Sequence, residues 1–137
     1  MTPTPIEPLG HKAPPPPRDS RSARGRAAED AAARLLEQRG YAVLGRNWRG
    51  GRGELDLICR RGDLMVFVEV RSARGTAFGT ALESVTWRKL HRLRSAARAW
   101  LAAHGMPAAA CRIDLVALEL APDGAIRRAE FVEGISE

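Results

Sequence analysis

The sequence predicts an α/β domain, a mixed sheet flanked by helices, and three observations carry that expectation. Alanines and leucines recur at helical spacing between Ala27 and Arg39, and again at Leu90, Leu93, Ala97 and Leu101. Two aliphatic runs, Glu54 to Arg60 and Leu64 to Arg71, flank the turn Arg61-Gly62-Asp63. Two more apolar runs close the chain around Pro122-Asp123-Gly124. The implied order is helix, three strands, helix, two strands.

Residues 1–22 hold seven of the nine prolines, including Pro14-Pro15-Pro16-Pro17, and almost no large apolar residues. Such a stretch cannot bury enough surface to fold, so a disordered, proline-rich tail is expected, followed by one folded domain over 23–137. The first helix is expected from Ala27 to Arg39, with Gly40 as its stop. Glu29 lies three, four and seven residues before Ala32, Ala33 and Leu36, which puts it at the edge of the apolar face.

A short strand from Tyr41 to Leu44 follows, then a loop, Arg46-Asn47-Trp48-Arg49-Gly50-Gly51-Arg52-Gly53. Of the two hairpin strands the second, Leu-Met-Val-Phe-Val-Glu-Val, is apolar on both faces and reads as central. A loop from Ser72 to Thr80 carries Arg74, Gly75, Phe78 and Gly79. The second helix runs from an N-cap at Thr86 to His104, ended by Gly105 and Pro107. Strands from Arg112 to Leu120 and Ile126 to Val132 complete the domain.

The formal charge of +6 and a pI near 10.6 favour an anionic partner such as nucleic acid. Only Lys12 and Lys89 are lysines, so nearly all the positive charge is arginine. Cys59 and Cys111 lack a CxxC or Cys/His partner and read as buried thiols of a reducing compartment, which argues against structural zinc. No apolar stretch approaches the roughly 20 residues of a membrane span, and no signal-peptide core is visible. A cytoplasmic protein is expected.

Strand alternation and a two-residue Gly62-Asp63 loop generate the chemistry. With that loop Arg61 pairs with Leu64, Asp56 lies opposite Glu69, and Glu54 lies opposite Arg71. Facing carboxylates have Cβ atoms about 4.5–5.5 Å apart and repel, so they call for a shared proton or a cation. Magnesium suits them, as a hard ion that takes one or two protein carboxylates and leaves other positions to water and phosphate. The plainer alternative makes them surface residues of an edge hairpin neutralised by arginines, with a Glu54–Arg71 ion pair.

Gly53-Glu54-Leu55-Asp56-Leu57-Ile58 followed by Val66-Phe67-Val68-Glu69-Val70-Arg71 resembles the core motif of PD-(D/E)xK nucleases. The stretch from Gly25 to about Val132 resembles, more closely, the YraN-like bacterial family. The resemblance runs through Gly25-Arg26-x-x-Glu29, Arg46-Asn47-Trp48-Arg49, Phe78-Gly79, Arg88-Lys89 and Arg112-x-Asp114. It implies a restriction-endonuclease-like fold with an αβββαβ core, similar to archaeal Holliday-junction resolvases. It also implies that Asp56 and Glu69 bind Mg²⁺ or Mn²⁺ with Glu29 as auxiliary, in a nuclease acting on DNA, including branched or recombining DNA. Because junction resolvases pair two sites, it implies a homodimer as well, although the sequence identifies no interface.

The PD-(D/E)xK motif expects lysine where this chain has Arg71. Arginine keeps its charge and can donate two hydrogen bonds to phosphate, but it cannot serve as a base. Three explanations stand side by side: a tolerated exchange in an arginine-rich chain, an ammonium supplied by Lys89 from the next helix, or a degraded site that only binds. Arg46, Arg49, Arg52, Arg74, Arg88, Lys89 and Arg92 are candidates for a phosphate-binding rim. Trp48, Trp87 and Trp100 read as packing residues, Trp48 being the best exception, and Asp114 reads as structural. The alternative functions are a catalytically inactive nucleic-acid-binding module and an adaptor acting through the proline tail.

Overall fold

The computed structural model describes residues 21–136. The elements are α1 (Arg21–Gln38), β1 (Ala42–Gly50), β2 (Gly53–Arg61), β3 (Leu64–Ser72), α2 (Trp87–Ala103), β4 (Cys111–Leu120) and β5 (Ile126–Val132). Most of the tail read over residues 1–22 lies outside the described residues. The five strands stand in chain order, β1-β2-β3-β4-β5. All neighbours are antiparallel except β3 and β4, which are parallel and joined across α2. The helix, three strands, helix, strand sequence is that of a restriction-endonuclease-like core, with β5 added at the edge.

The helices cover opposite faces. Ala28, Ala31, Ala32 and Leu36 of α1 pack on Leu57, Val66, Val68, Val116 and Leu118. Leu93, Ala96, Ala97 and Trp100 of α2 pack on Ile58, Met65, Phe67 and Ile113. Strand β3 is therefore buried on both sides, as its unbroken apolar run requires. Phe67 meets the edge of Trp100 at 5.8 Å between ring centroids. Full burial of side chains this size stabilises by roughly 1.5–3 kcal/mol each.

Several local expectations are corrected. α1 starts at Arg21, six residues before Ala27, although its apolar face begins only at Ala28. Arg46 to Arg49 belong to β1 rather than to a loop, pairing with Leu57 to Glu54. An antiparallel edge strand tolerates such polar residues because one side faces water. The loop after β3 winds into two short 3₁₀ turns, Gly75–Thr80 and Leu82–Ser84. Cys59 is buried as expected, but Cys111 is exposed, being the first residue of β4 at the rim of the sheet. No helix among the described residues is long and apolar enough to cross a membrane.

Candidate functional site

The hairpin register is the one that the Gly62-Asp63 loop dictates, from Arg61↔Leu64 through Leu57↔Val68. Gly62 takes φ +61°, which a side chain disfavours. Past Leu57 the ladder stops. The backbone N–H of Val70 donates instead to Oδ2 of Asp56 at 2.8 Å, so the carboxylate replaces a ladder carbonyl where the two strands part. Asp56 and Glu69 face each other at this fork, close enough for the charge of one to bear on the other.

Burial and the Glu69 charge push the Asp56 carboxyl up to about 8; Glu29 adds to the rise, while the Val70 N–H opposes it. Glu29 reaches this field from α1, where it is itself buried.

Glu69 is buried, and its Oε2 meets two cations. The Nε–H of Arg71 donates to it at 3.0 Å, and Nζ of Lys89 lies 3.6 Å away. Nη1 of Arg71 also donates to Oγ of Ser84 at 3.0 Å, which fixes the guanidinium against the second 3₁₀ turn. Glu54 does not pair with Arg71 but accepts from Nε of Arg49 at 3.1 Å. The cause is register, since Glu54 is the ladder partner of Arg49. Glu69, Arg71 and Lys89 thus meet by direct contact, while Asp56 and Glu29 join them electrostatically.

Among the described residues no three His, Cys, Asp or Glu side chains stand close enough together to enclose a metal ion. The donors at the fork are two carboxylates with no thiolate or imidazole beside them. That set fits a hard divalent cation which keeps much of its water and does not fit a closed zinc site.

Lys89 enters the fork because Thr86 caps α2, its Oγ1 accepting from the Lys89 N–H at 3.0 Å. α2 carries no acidic residue in its first turn; Arg88 and Lys89 stand there instead. Cations at the positive end of a helix dipole are locally unfavourable, and an anionic partner relieves the conflict.

A groove runs beside Lys89 between the β1–β2 turn and α2, lined by Arg49, Arg52, Lys89 and Arg92. Two glycines create it by letting the turn lie against the helix. A Cβ on Gly53 would stand 2.7 Å from the Arg92 carbonyl oxygen, and one on Gly51 2.7 Å from that of Ser95. Ser95 Oγ accepts from the Arg52 N–H at 3.0 Å.

Of the remaining rim candidates, Arg46 is bonded to Asp30, while Arg74 and Arg88 are exposed and do not line the groove. Trp48 packs against the α2 core and over Gly50, where a Cβ would overlap its ring. Trp100 is buried, but Trp87 is 72% exposed, contrary to the packing role expected of it. Asp114 is structural, as expected. It takes Nε–H and Nη2–H from Arg112 at 2.8 and 2.9 Å and the Gly134 N–H at 3.0 Å. Ser84 and Ser95 were missed, since isolated serines carry no pattern in a sequence.

A restriction-endonuclease-like α/β core with a carboxylate pair at its strand fork defines the class of this domain. The chain belongs to the Uncharacterised protein family UPF0102, which matches residues 28–118 and is the family expected under the YraN-like description. It is similar to the UPF0102 protein of Nitratidesulfovibrio vulgaris, with 48% identity over 98 residues, 72% of this chain and 73% of that one. It is 44% identical to the UPF0102 protein of Pelotomaculum thermopropionicum over 84% of this chain and 96% of the relative. The UPF0102 protein of Frankia alni is 44% identical over 79% and 90% respectively.

Proposed function

We propose that this protein is a Mg²⁺- or Mn²⁺-dependent nuclease that hydrolyses phosphodiester bonds in DNA, including branched or recombining DNA. The observation that carries the proposal is the meeting of Asp56 and Glu69 at the strand fork, with Lys89 and Arg71 on Glu69. Asp56 and Glu69 would hold the ion, with Glu29 adding negative charge behind them. Such an ion, when bound, polarises the scissile phosphate and makes water a better nucleophile. Lys89 and Arg71 are the groups available to offset charge building on the phosphate. Arg49, Arg52 and Arg92 would hold the backbone leading to it.

A second reading, a nucleic-acid-binding module without catalysis, draws on the same contacts. Arg71 and Lys89 already neutralise Glu69, so the fork is satisfied in part without a divalent ion.

One experiment separates the two. Purified protein and an Asp56→Ala variant are incubated with labelled single strands, duplexes, flaps and four-way junctions in Mg²⁺, Mn²⁺ or EDTA. Metal-dependent cleavage lost in the variant supports the nuclease. Binding without cleavage by the unaltered protein supports the module.

A further inference from the structure

Trp87 is the most exposed large apolar side chain among the described residues, at 72%. It opens α2 on the side of the helix turned away from Lys89, which lies two residues on and reaches Glu69. The indole takes no part in the apolar stripe that seats α2 on the sheet. Its surroundings are cationic instead. The Arg94 guanidinium lies 5.7 Å from the ring centroid and is held by a hydrogen bond from Nη2 to the Ser136 carbonyl. The His91 ring stands 6.3 Å away, tilted by 52°. Along its whole length α2 has five Lys and Arg residues and no acid.

A flat exposed ring in a field of one sign restricts its partner. A second copy of the chain presenting the same surface would set arginines against arginines. A polyanion with π faces of its own satisfies both features, and single-stranded nucleic acid is that polymer. In a duplex the bases are stacked on each other, and the ring cannot reach a π face.

We infer that Trp87 is a stacking platform for an unpaired base of a strand whose phosphates lie along the cationic outer face of α2, so that the preferred substrate carries a single-stranded segment there. That the partner is a nucleic acid rests on the proposed function. The stacking itself can be tested without cleavage.

The full-length protein is titrated in EDTA with an oligothymidine strand, an abasic strand of equal length and a duplex. Intrinsic tryptophan fluorescence and the anisotropy of a labelled strand are followed together. Trp100 is buried and Trp48 is packed over Gly50, so a partner that contacts the exposed indole reports through Trp87. The base-bearing strand should quench the emission, and the abasic strand should bind with little quenching. Trp87→Ala should lose roughly five- to 150-fold in affinity for the base-bearing strand and nothing for the abasic one. Trp87→Phe should keep most of the base preference.

Equal quenching by both strands, or an unchanged affinity ratio in Trp87→Ala, overturns the assignment. So does concentration-dependent dimerisation that Trp87→Ala abolishes in the absence of base-dependent quenching. Base-dependent quenching without cleavage in metal keeps the platform and overturns the nuclease.

Discussion

Nζ of Lys89 and Nε of Arg71 converge on one oxygen, Oε2 of Glu69, at 3.6 and 3.0 Å. One cation comes from the strand that carries the carboxylate, the other from the helix beyond it. Arg71 is anchored a second time by Ser84, and Lys89 has the shorter, freely rotating head.

That difference separates the two in assays of cleavage. Lys89→Ala should lower the turnover rate by roughly 10²–10³-fold, the usual loss when one donor to a developing oxyanion is removed. Arg71→Lys should stay within about tenfold of the parent, because an ammonium at that position keeps a second cation beside Glu69 with Lys89 in place. Single-turnover rates at saturating DNA measure both. A larger loss in Arg71→Lys would assign the transition-state charge to the guanidinium.

Asp56 makes the stability of the domain depend on pH. Its folded pKa is raised from 3.8 to about 8, so the folded state binds the proton more tightly than the unfolded chain. Stability from this group is complete below about pH 4 and is lost as pH rises through about 8. Asp56→Asn keeps an oxygen for the Val70 N–H but cannot ionise. It should flatten the profile and exceed the parent at pH 9 by more than about 1.4 kcal/mol, the equivalent of one pKa unit. Urea melts across pH 4–9 would test this, and millimolar Mg²⁺ should narrow the gap by stabilising only the parent.

The groove predicts which arginines govern salt dependence. Arg52→Ala and Arg92→Ala should each lower the slope of log affinity against log salt by about 0.9 for duplex DNA, or about 0.7 for a single strand. Arg46→Ala should leave the slope unchanged, because Arg46 is occupied by Asp30. Anisotropy titrations in EDTA at several salt concentrations read these slopes without cleavage.

Gly53→Ala tests how the groove is built. The new methyl meets the backbone of α2 at 2.7 Å, so the turn must lift, at a cost of about 1–3 kcal/mol typical of overpacking. Affinity for DNA should fall with it. Gly62→Ala is the control: nothing lies within 4 Å of its Cβ, and only its positive φ is strained. It should cost about 1–2 kcal/mol and leave DNA affinity intact. Thermal melts and anisotropy on the two variants give both readouts.

The hairpin register was legible because loop length and period-two alternation admit one solution, and that solution holds as far as Leu57↔Val68. The departure beyond it was not legible. It depends on the Asp56 side chain taking the Val70 N–H, a tertiary hydrogen bond that no spacing encodes. The Glu54–Arg71 pairing was mistaken for a related reason. Arg46 to Arg49 lacked apolar alternation and read as a loop, so the strand that brings Arg49 opposite Glu54 went unrecognised. Trp87 was judged by residue type, whereas its exposure follows from its place before the stripe of Leu90, Leu93 and Ala97. The approach of Glu29 and Lys89 to the fork was readable only through the family resemblance, since it joins residues from both helices across the sheet.

The scarcity of lysine gives the fork a chemical address. Lys89 is the one ε-amine among the described residues, and its side chain is 33% exposed. An amine-selective acylating reagent therefore finds a single reactive side chain there, so peptide mass mapping resolves it without enrichment. Acylation at that nitrogen removes its charge and its hold on Glu69 together. The rate at which the label enters measures how often that ion pair opens.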